Sequence, residues 1–133
     1  MAKSAKDGDD DFTVPFRDID LNGEMHRAAY IIHAEDALAR FWLRRGSVAG
    51  DPAFRVSKVG CTIHSPLKLG QVVNRDVRVS KIGGRSAGFS VLFTVGDHLA
   101  AEAEIVWTSI SPDSGDTVPL SEELRDWLYQ YLD

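Results

Sequence analysis

The chain has 133 residues, 44% of them hydrophobic, with a formal net charge of −5 and a pI near 5.3. That length suits one domain around one core, and the acidic balance argues against non-specific nucleic-acid binding. No apolar run is long enough to cross a bilayer, the N-terminus lacks the apolar segment of a signal peptide, and the single cysteine, Cys61, excludes an internal disulfide, so a cytoplasmic protein is the expectation.

Met1–Asp11 is polar and rich in Asp, Lys and Gly, and reads as a disordered leader before a single domain over 12–133. Phe12–Arg17 alternates apolar and polar residues as a short strand does, with Pro15 pointing to an edge or a bulge. A long helix is expected from about Ala28 to Arg45, ending at Gly46. Tyr30, Ala34, Ala37, Leu38, Phe41 and Trp42 form its broad apolar face, and His33, Asp36, Arg40 and Arg44 lie opposite. Glu35 and Asp36 read as a helix-face pair with Arg40, Asp36 and Arg40 being four residues apart.

Ser47–Ala53 reads as a loop, and strand patterns follow. Val59, Cys61 and Ile63 alternate with polar or small residues; so do Val77 and Val79, then Ala87 to Val95, then Ala101 to Trp107. Gly83-Gly84 and Gly96-Asp97 are hairpin turns between them. Ser121 caps a last amphipathic helix carrying Leu124, Trp127, Leu128, Tyr131 and Leu132. The order is strand, long helix, four antiparallel strands, short helix, an α+β arrangement. One helix is too little to cover so large an apolar sheet, so self-association is expected.

Chemistry concentrates between Phe16 and Tyr30, where Asp18, Asp20, Glu24 and His26 lead into the long helix across an Asn22-Gly23 break. The first N–H groups of a helix lack internal partners and can hold an oxyanion. A carboxylate beside them suits acyl transfer, although Asp20 or Asn22 capping the turn is an equally physical use of the same residues. Elsewhere, Arg55, Lys58, Lys68, Arg75, Arg78, Lys81 and Arg85 face one acid, Asp76, between positions 55 and 85. Such a basic stretch suits phosphate binding, or simply protects a sheet edge. Cys61 reads as a small core side chain. Four scattered histidines and no cysteine pair argue against a metal site, and neither a Lys-Ser/Thr phosphate loop nor a G-x-S-x-G elbow is present.

The element order resembles the hotdog fold, a curved antiparallel sheet wrapped around one long central helix. Asp18-Ile19-Asp20-Leu21-Asn22-Gly23-Glu24-Met25-His26-Arg27-Ala28-Ala29-Tyr30 resembles the D-x-D-x-x-G-H-x-N-N-x-x-Y signature of hotdog thioesterases of the 4-hydroxybenzoyl-CoA and acyl-ACP thioesterase types. Ile82-Gly83-Gly84-Arg85-Ser86 is similar to that family's I-G-x-x-S hairpin, and Ser65-Pro66-Leu67 with Gly70 to its strand connection. Glu24 stands where the family has His, and His26 and Arg27 where it has two Asn.

The resemblance implies an acyl-CoA thioesterase in which Asp20 attacks the thioester carbonyl or activates water, while backbone amides near Arg27 and Ala28 hold the carbonyl oxygen. Glu24 either replaces the missing His or is a solvated loop residue. Asp18 is assigned to bonding backbone amides beside the substrate site, His26 either to substrate contact or to the surface, and Tyr30 to the head of the helix at the edge of the substrate site. Arg78, Lys81, Arg85 and Ser86 are the expected contacts for coenzyme A phosphates, Arg85 and Ser86 first. Coenzyme A enters as part of the substrate, no separate cofactor is expected, and an acyl-carrier protein is the other possible carrier. A homodimer or homotetramer with its site near a subunit interface is expected. The alternative is a non-catalytic acyl-thioester binder on the same fold. A hydratase of that fold would need a D-x4-N-x2-H spacing that is absent here.

Overall fold

Alternating side chains on four long strands and an unbroken apolar stripe on one helix decide the architecture. The structure, a computed structural model, describes residues 10–46 and 48–133. Its elements are strand β1 (Asp11–Thr13), a 3-10 turn (Phe16–Asp18), helix α1 (Arg27–Leu43), strands β2 (Ala53–Ile63), β3 (Val72–Ile82), β4 (Ser86–Val95) and β5 (His98–Ile110), and helix α2 (Glu122–Tyr129). The strands form one antiparallel sheet in the order β1-β3-β4-β5-β2. Residues 1–9 of the expected leader lie outside the described residues; Asp10 is buried and Asp11 opens β1.

Helix α1 packs against β2, β3, β4 and β5, so the sheet curls around it. Its buried residues Ala29, Tyr30, Ala34, Ala37, Leu38 and Phe41 repeat at helical spacing. They meet the inward rows Val77–Val91–Ala103 and Val79–Phe89–Ile105, set by the registers of β3, β4 and β5. Register shifts at Val79/Lys81, Phe93/Thr94 and Val56/Lys58 add local twist that helps the sheet curve. Gly46 ends the helix region at φ +74°, a conformation glycine adopts without strain.

Ring contacts fix the direction of α1. Tyr30 meets Phe93 edge-on, Phe41 meets Phe89, and Trp42 meets Phe54 and Trp107. The helix therefore starts at the Phe93–Ala101–Ile63 end of the sheet and finishes at the Ala87–Trp107–Val56 end. Tyr30 has no exposed surface, and its hydroxyl accepts a hydrogen bond from the buried Leu67 amide at 3.0 Å. Burial pushes the Tyr30 phenol up, against the opposing effect of that bond.

The two sheet edges differ. Along β3, Thr13↔Val72 to Asp11↔Asn74 pairing covers the first part. The chain end covers a later part, with Val79 N donating to Tyr131 O and Asp133 N to Val79 O. At the other edge, β2 is exposed on both faces from Arg55 to Ile63.

Three local expectations change. The first strand stops at Thr13, because Pro15 ends the pairing and starts the 3-10 turn. β2 takes in Ala53, the last residue of the expected loop. Cys61 lies exposed on β2 rather than in the core, because an edge strand with both faces open offers no core to enter.

Replacing Tyr30 by Phe removes the hydroxyl that accepts from the buried Leu67 amide while keeping the ring. Tyr30→Phe is expected to lower stability by about 1–3 kcal/mol in urea unfolding, with the m-value unchanged.

Candidate active site at the start of the central helix

The loop before α1 is built around Asp20. Its Oδ1 accepts hydrogen bonds from Asn22 N (2.8 Å) and Glu24 N (3.1 Å), its amide donates to Glu24 O (2.7 Å), and Gly23 N donates to Asp20 O (3.1 Å). Gly23, at φ +78°, permits the tight return. One carboxylate oxygen therefore fixes the turn as an Asx cap does. Among the described residues no hydrogen bond occupies the other oxygen, Oδ2. The loop is tied to its neighbours by Met25 N→Leu67 O (2.7 Å) and His26 N→Asp18 O (2.8 Å).

His26 is the N-cap of α1. Its backbone is extended and its Nδ1 accepts from Ala29 N at 3.2 Å. Arg27 and Ala28 are the first two helical residues, and among the described residues no hydrogen bond occupies their amides. Those two N–H groups carry the positive end of the helix dipole. A cleft of about 510 Å³ opens beside them, lined by Arg27, Ala28, Ile31, Val59, Gly60, Cys61 and Ile63. Burial pushes the Cys61 thiol up and the Arg27 charge offsets part of the rise, so Cys61 is not poised as a thiolate. Asp20 and Glu24 lie close enough for their charges to act on Tyr30.

The structure brings Asp20, Glu24, His26, Arg27 and Tyr30 to one end of α1. Glu24 is half-buried, with its backbone bridged to Lys68. Tyr30 is enclosed behind the loop. Asp18 is held by a side chain rather than by backbone amides: Oδ2 lies 2.8 Å from His33 Nε2, and both side chains are mostly buried. His33 in turn stacks on Phe12 at 4.0 Å between centroids. No short-range pattern in the sequence pairs positions 18 and 33; only the fold does.

The basic residues separate into two groups. Arg75, expected on the phosphate side, is buried under α1, donating to Asp36 Oδ2 (2.7 Å) and to the carbonyls of His33 (3.0 Å) and Asp10 (3.3 Å). Arg78 bonds Asp76 (2.9 Å) and Asp133 (3.2 Å), and the Asp76 hydrogen bond holds its guanidinium charged still more firmly. Arg85 donates to Thr117 O at 3.2 Å. Lys81 is exposed, and with Ser86, Ser80, Gly88 and Glu104 it lines a second cleft of about 240 Å³. This cleft lies at the far end of the sheet: Ser86 is seven residues along β4 from Phe93, roughly 23 Å at strand rise. A single chain thus keeps Lys81 and Ser86 apart from Asp20.

A curved antiparallel sheet closed around one long helix is the hotdog fold. The chain belongs to the thioesterase-like superfamily, whose family profile matches residues 14–128. Among solved structures it is similar to a Pseudomonas aeruginosa protein (19% identity, 93% of this chain and 90% of that chain, TM-score 0.81). It is also similar to YbaW, a probable thioesterase from Escherichia coli (21%, 92% and 97%, 0.78). A third similar structure is a Staphylococcus aureus protein solved in complex with CoA (20%, 100% and 88%, 0.83). No curated protein sequence matches significantly. Among the described residues no helix is long and apolar enough to cross a membrane, and no cluster of three or more His, Cys, Asp or Glu is placed to hold a metal ion.

The Arg75 hydrogen bond holds the Asp36 carboxyl below its ordinary 3.8. A depressed carboxyl stabilises the fold fully above the unfolded value and loses that contribution as pH falls through the lower folded one. Asp36→Asn removes this dependence. Its urea midpoint is expected to change less than that of the unmodified protein between about pH 6 and about pH 3.

Proposed function

We propose that the protein hydrolyses an acyl thioester, with Asp20 as the acting carboxylate and the Arg27 and Ala28 amides as the oxyanion site. The observation that carries this reading is the division of labour at Asp20. Oδ1 fixes the turn and, among the described residues, leaves Oδ2 unengaged, in the loop leading to two helix amides without a hydrogen-bond partner among them. Membership of the thioesterase-like superfamily supports the reaction class. In the reaction, charge develops on the carbonyl oxygen, where the two N–H groups stabilise it. Oδ2 either takes a proton from the attacking water or adds to the carbonyl carbon itself. The C–S bond breaks, the thiolate leaves and takes up a proton, and the acyl group departs as a carboxylic acid. If Oδ2 adds first, water hydrolyses the resulting anhydride and restores Asp20.

Coenzyme A is the proposed carrier. Lys81 and Ser86 supply a cation and a hydroxyl in one cleft, and the similar Staphylococcus aureus protein was solved with CoA. That cleft stands roughly 23 Å of sheet from Phe93, at whose end the helix starts. A thioester at Asp20 therefore either spans the sheet or has its nucleotide held by a second copy. The open edge and faces of β2 suit the second arrangement, so we assign a homodimer or a homotetramer of such units.

A second reading, an acyl-thioester binder without turnover, is favoured by the capping role of Asp20 and by Glu24 in the position where the family has His. The experiment that separates them is free-thiol release from a panel of acyl-CoAs by the unmodified protein and by Asp20→Asn. The substitution is expected to lower kcat/KM by about 10²–10⁴. Equal rates in both proteins would remove Asp20 from the mechanism; tight binding with no thiol release by either would establish the binder.

A further inference from the structure

Asp20 stands on a small hairpin that is held unevenly. His26 N bonds Asp18 O (2.8 Å), Ile19 bridges Met25, and Asp20 N bonds Glu24 O (2.7 Å), so residues 18–20 form one limb and residues 24–26 the other. The second limb runs on into α1 and is anchored twice more, by Met25 N on Leu67 O (2.7 Å) and by the Glu24 bridge to Lys68. The first limb carries the acting carboxylate and has less to hold it. Its bonds from Asp18 N to Pro15 O and from Ile19 N to Phe16 O stay within the 3-10 turn. Arg17 and Leu21 are exposed, and Ile19 packs on the core while half-buried. Among the described residues, one side-chain hydrogen bond joins this limb to the rest of the molecule, from His33 Nε2 to Asp18 Oδ2 at 2.8 Å.

His33 is itself firmly placed. It lies in the second turn of α1, and its carbonyl accepts from Arg75 Nη1 on β3 at 3.0 Å. Its ring lies flat on Phe12 of β1, with 4.0 Å between centroids and 11° between planes. Phe12 is backed in turn by Phe93, edge-on at 6.4 Å, and by the Arg75 guanidinium at 5.3 Å. The bonded side chains are 15% and 13% exposed, so water competes little for the bond. A carboxylate oxygen only accepts, so Nε2 is the donor. Apolar packing of Ile19 draws the limb to the core without fixing its angle, whereas a hydrogen bond is directional. The same helix carries His33 and the Arg27 and Ala28 amides. The bond therefore refers the carboxylate turn and the two amides to one rigid element.

We infer that His33 is a positioning residue for the candidate active site: through Asp18 it sets the limb that carries Asp20, and so the direction of Oδ2 relative to the Arg27 and Ala28 amides. The inference takes the role of Asp20 from the proposed function, but the seating of Asp20 is measurable without turnover.

Two substitutions in the full chain separate the hydrogen bond from the ring. His33→Phe keeps the stack on Phe12 and removes the donor. His33→Gln keeps a donor near the place of Nε2 and removes the ring. Asp18→Leu breaks the same bond from the turn side, and it carries the comparison if His33→Phe does not fold. The first readout is the amide NMR spectrum of the ligand-free protein. The Asn22 and Glu24 N–H groups donate to Asp20 Oδ1 and report its seating, and the Leu67 amide, bonded to Tyr30, is the reference. The second readout is free-thiol release from the acyl-CoA panel. His33→Phe and Asp18→Leu are expected to move the Asn22 and Glu24 amide protons upfield while Leu67 stays in place. They are expected to lower kcat about tenfold with KM within about twofold, and His33→Gln to keep kcat within about threefold and both amides near their original positions. A packing role for the ring gives the reverse order, damage from Gln and none from Phe, and that order overturns the inference. So does an unchanged kcat in His33→Phe when the unmodified protein turns over, or a pair of amides that stays in place in both His33→Phe and Asp18→Leu. Amides that move in His33→Phe and return in His33→Gln, in a protein that cleaves no thioester, uphold the seating of Asp20 by His33 and remove the hydrolase reading.

Discussion

Everything at the site depends on where α1 begins. The apolar stripe of Ala29, Tyr30, Ala34, Ala37, Leu38 and Phe41 can be buried only along the concave side of the sheet. That burial fixes the helix axis but not its position along the axis. The Tyr30 hydroxyl on the Leu67 amide, the His26 cap on Ala29 and the Met25 bond to Leu67 supply the missing constraint. Together they hold the first two helix amides at one end of the sheet, beside the Asp20 turn.

The same economy explains why the candidate catalytic carboxylate also looks structural. Holding a carboxylate by one oxygen is a way to orient the other, since the turn that Oδ1 closes removes the rotational freedom of the side chain. Asp18 shows the contrasting outcome. It is committed to His33 inside a cluster that includes Phe12, and nearby Arg75 sits over Phe12 and pairs with Asp36. Of the two carboxylates in the D-x-D stretch, one joins β1 to α1 and the other, among the described residues, keeps one oxygen without a hydrogen bond.

Much of the fold was legible because its signals are local. The alternation from Ala87 to Val95, the Gly83-Gly84 and Gly96-Asp97 turns, the long helix ending near Gly46 and the Ser121 cap each follow from neighbouring residues. What escaped depends on distant ones. Asp18–His33 and Arg75–Asp36 pair residues 15 and 39 positions apart. Arg75 looked like a surface cation because the sequence cannot show that a charged residue on the inward face of β3 lies under the helix carrying its partner. The relation between Asp20 and the Lys81–Ser86 cleft needs the direction of the helix, which the ring contacts and the bonds to Leu67 give.

The central claim is that the Arg27 and Ala28 amides receive the oxygen of a bound thioester. The direct measurement is an amide-resolved NMR titration of the native protein with an acyl-CoA analogue in which a methylene replaces the sulfur, so that the carbonyl is kept and cannot be hydrolysed. The account predicts that the Arg27 and Ala28 amide protons shift downfield more than any others, as expected of N–H groups gaining an acceptor. Saturable binding that leaves those two resonances in place while others move would contradict it.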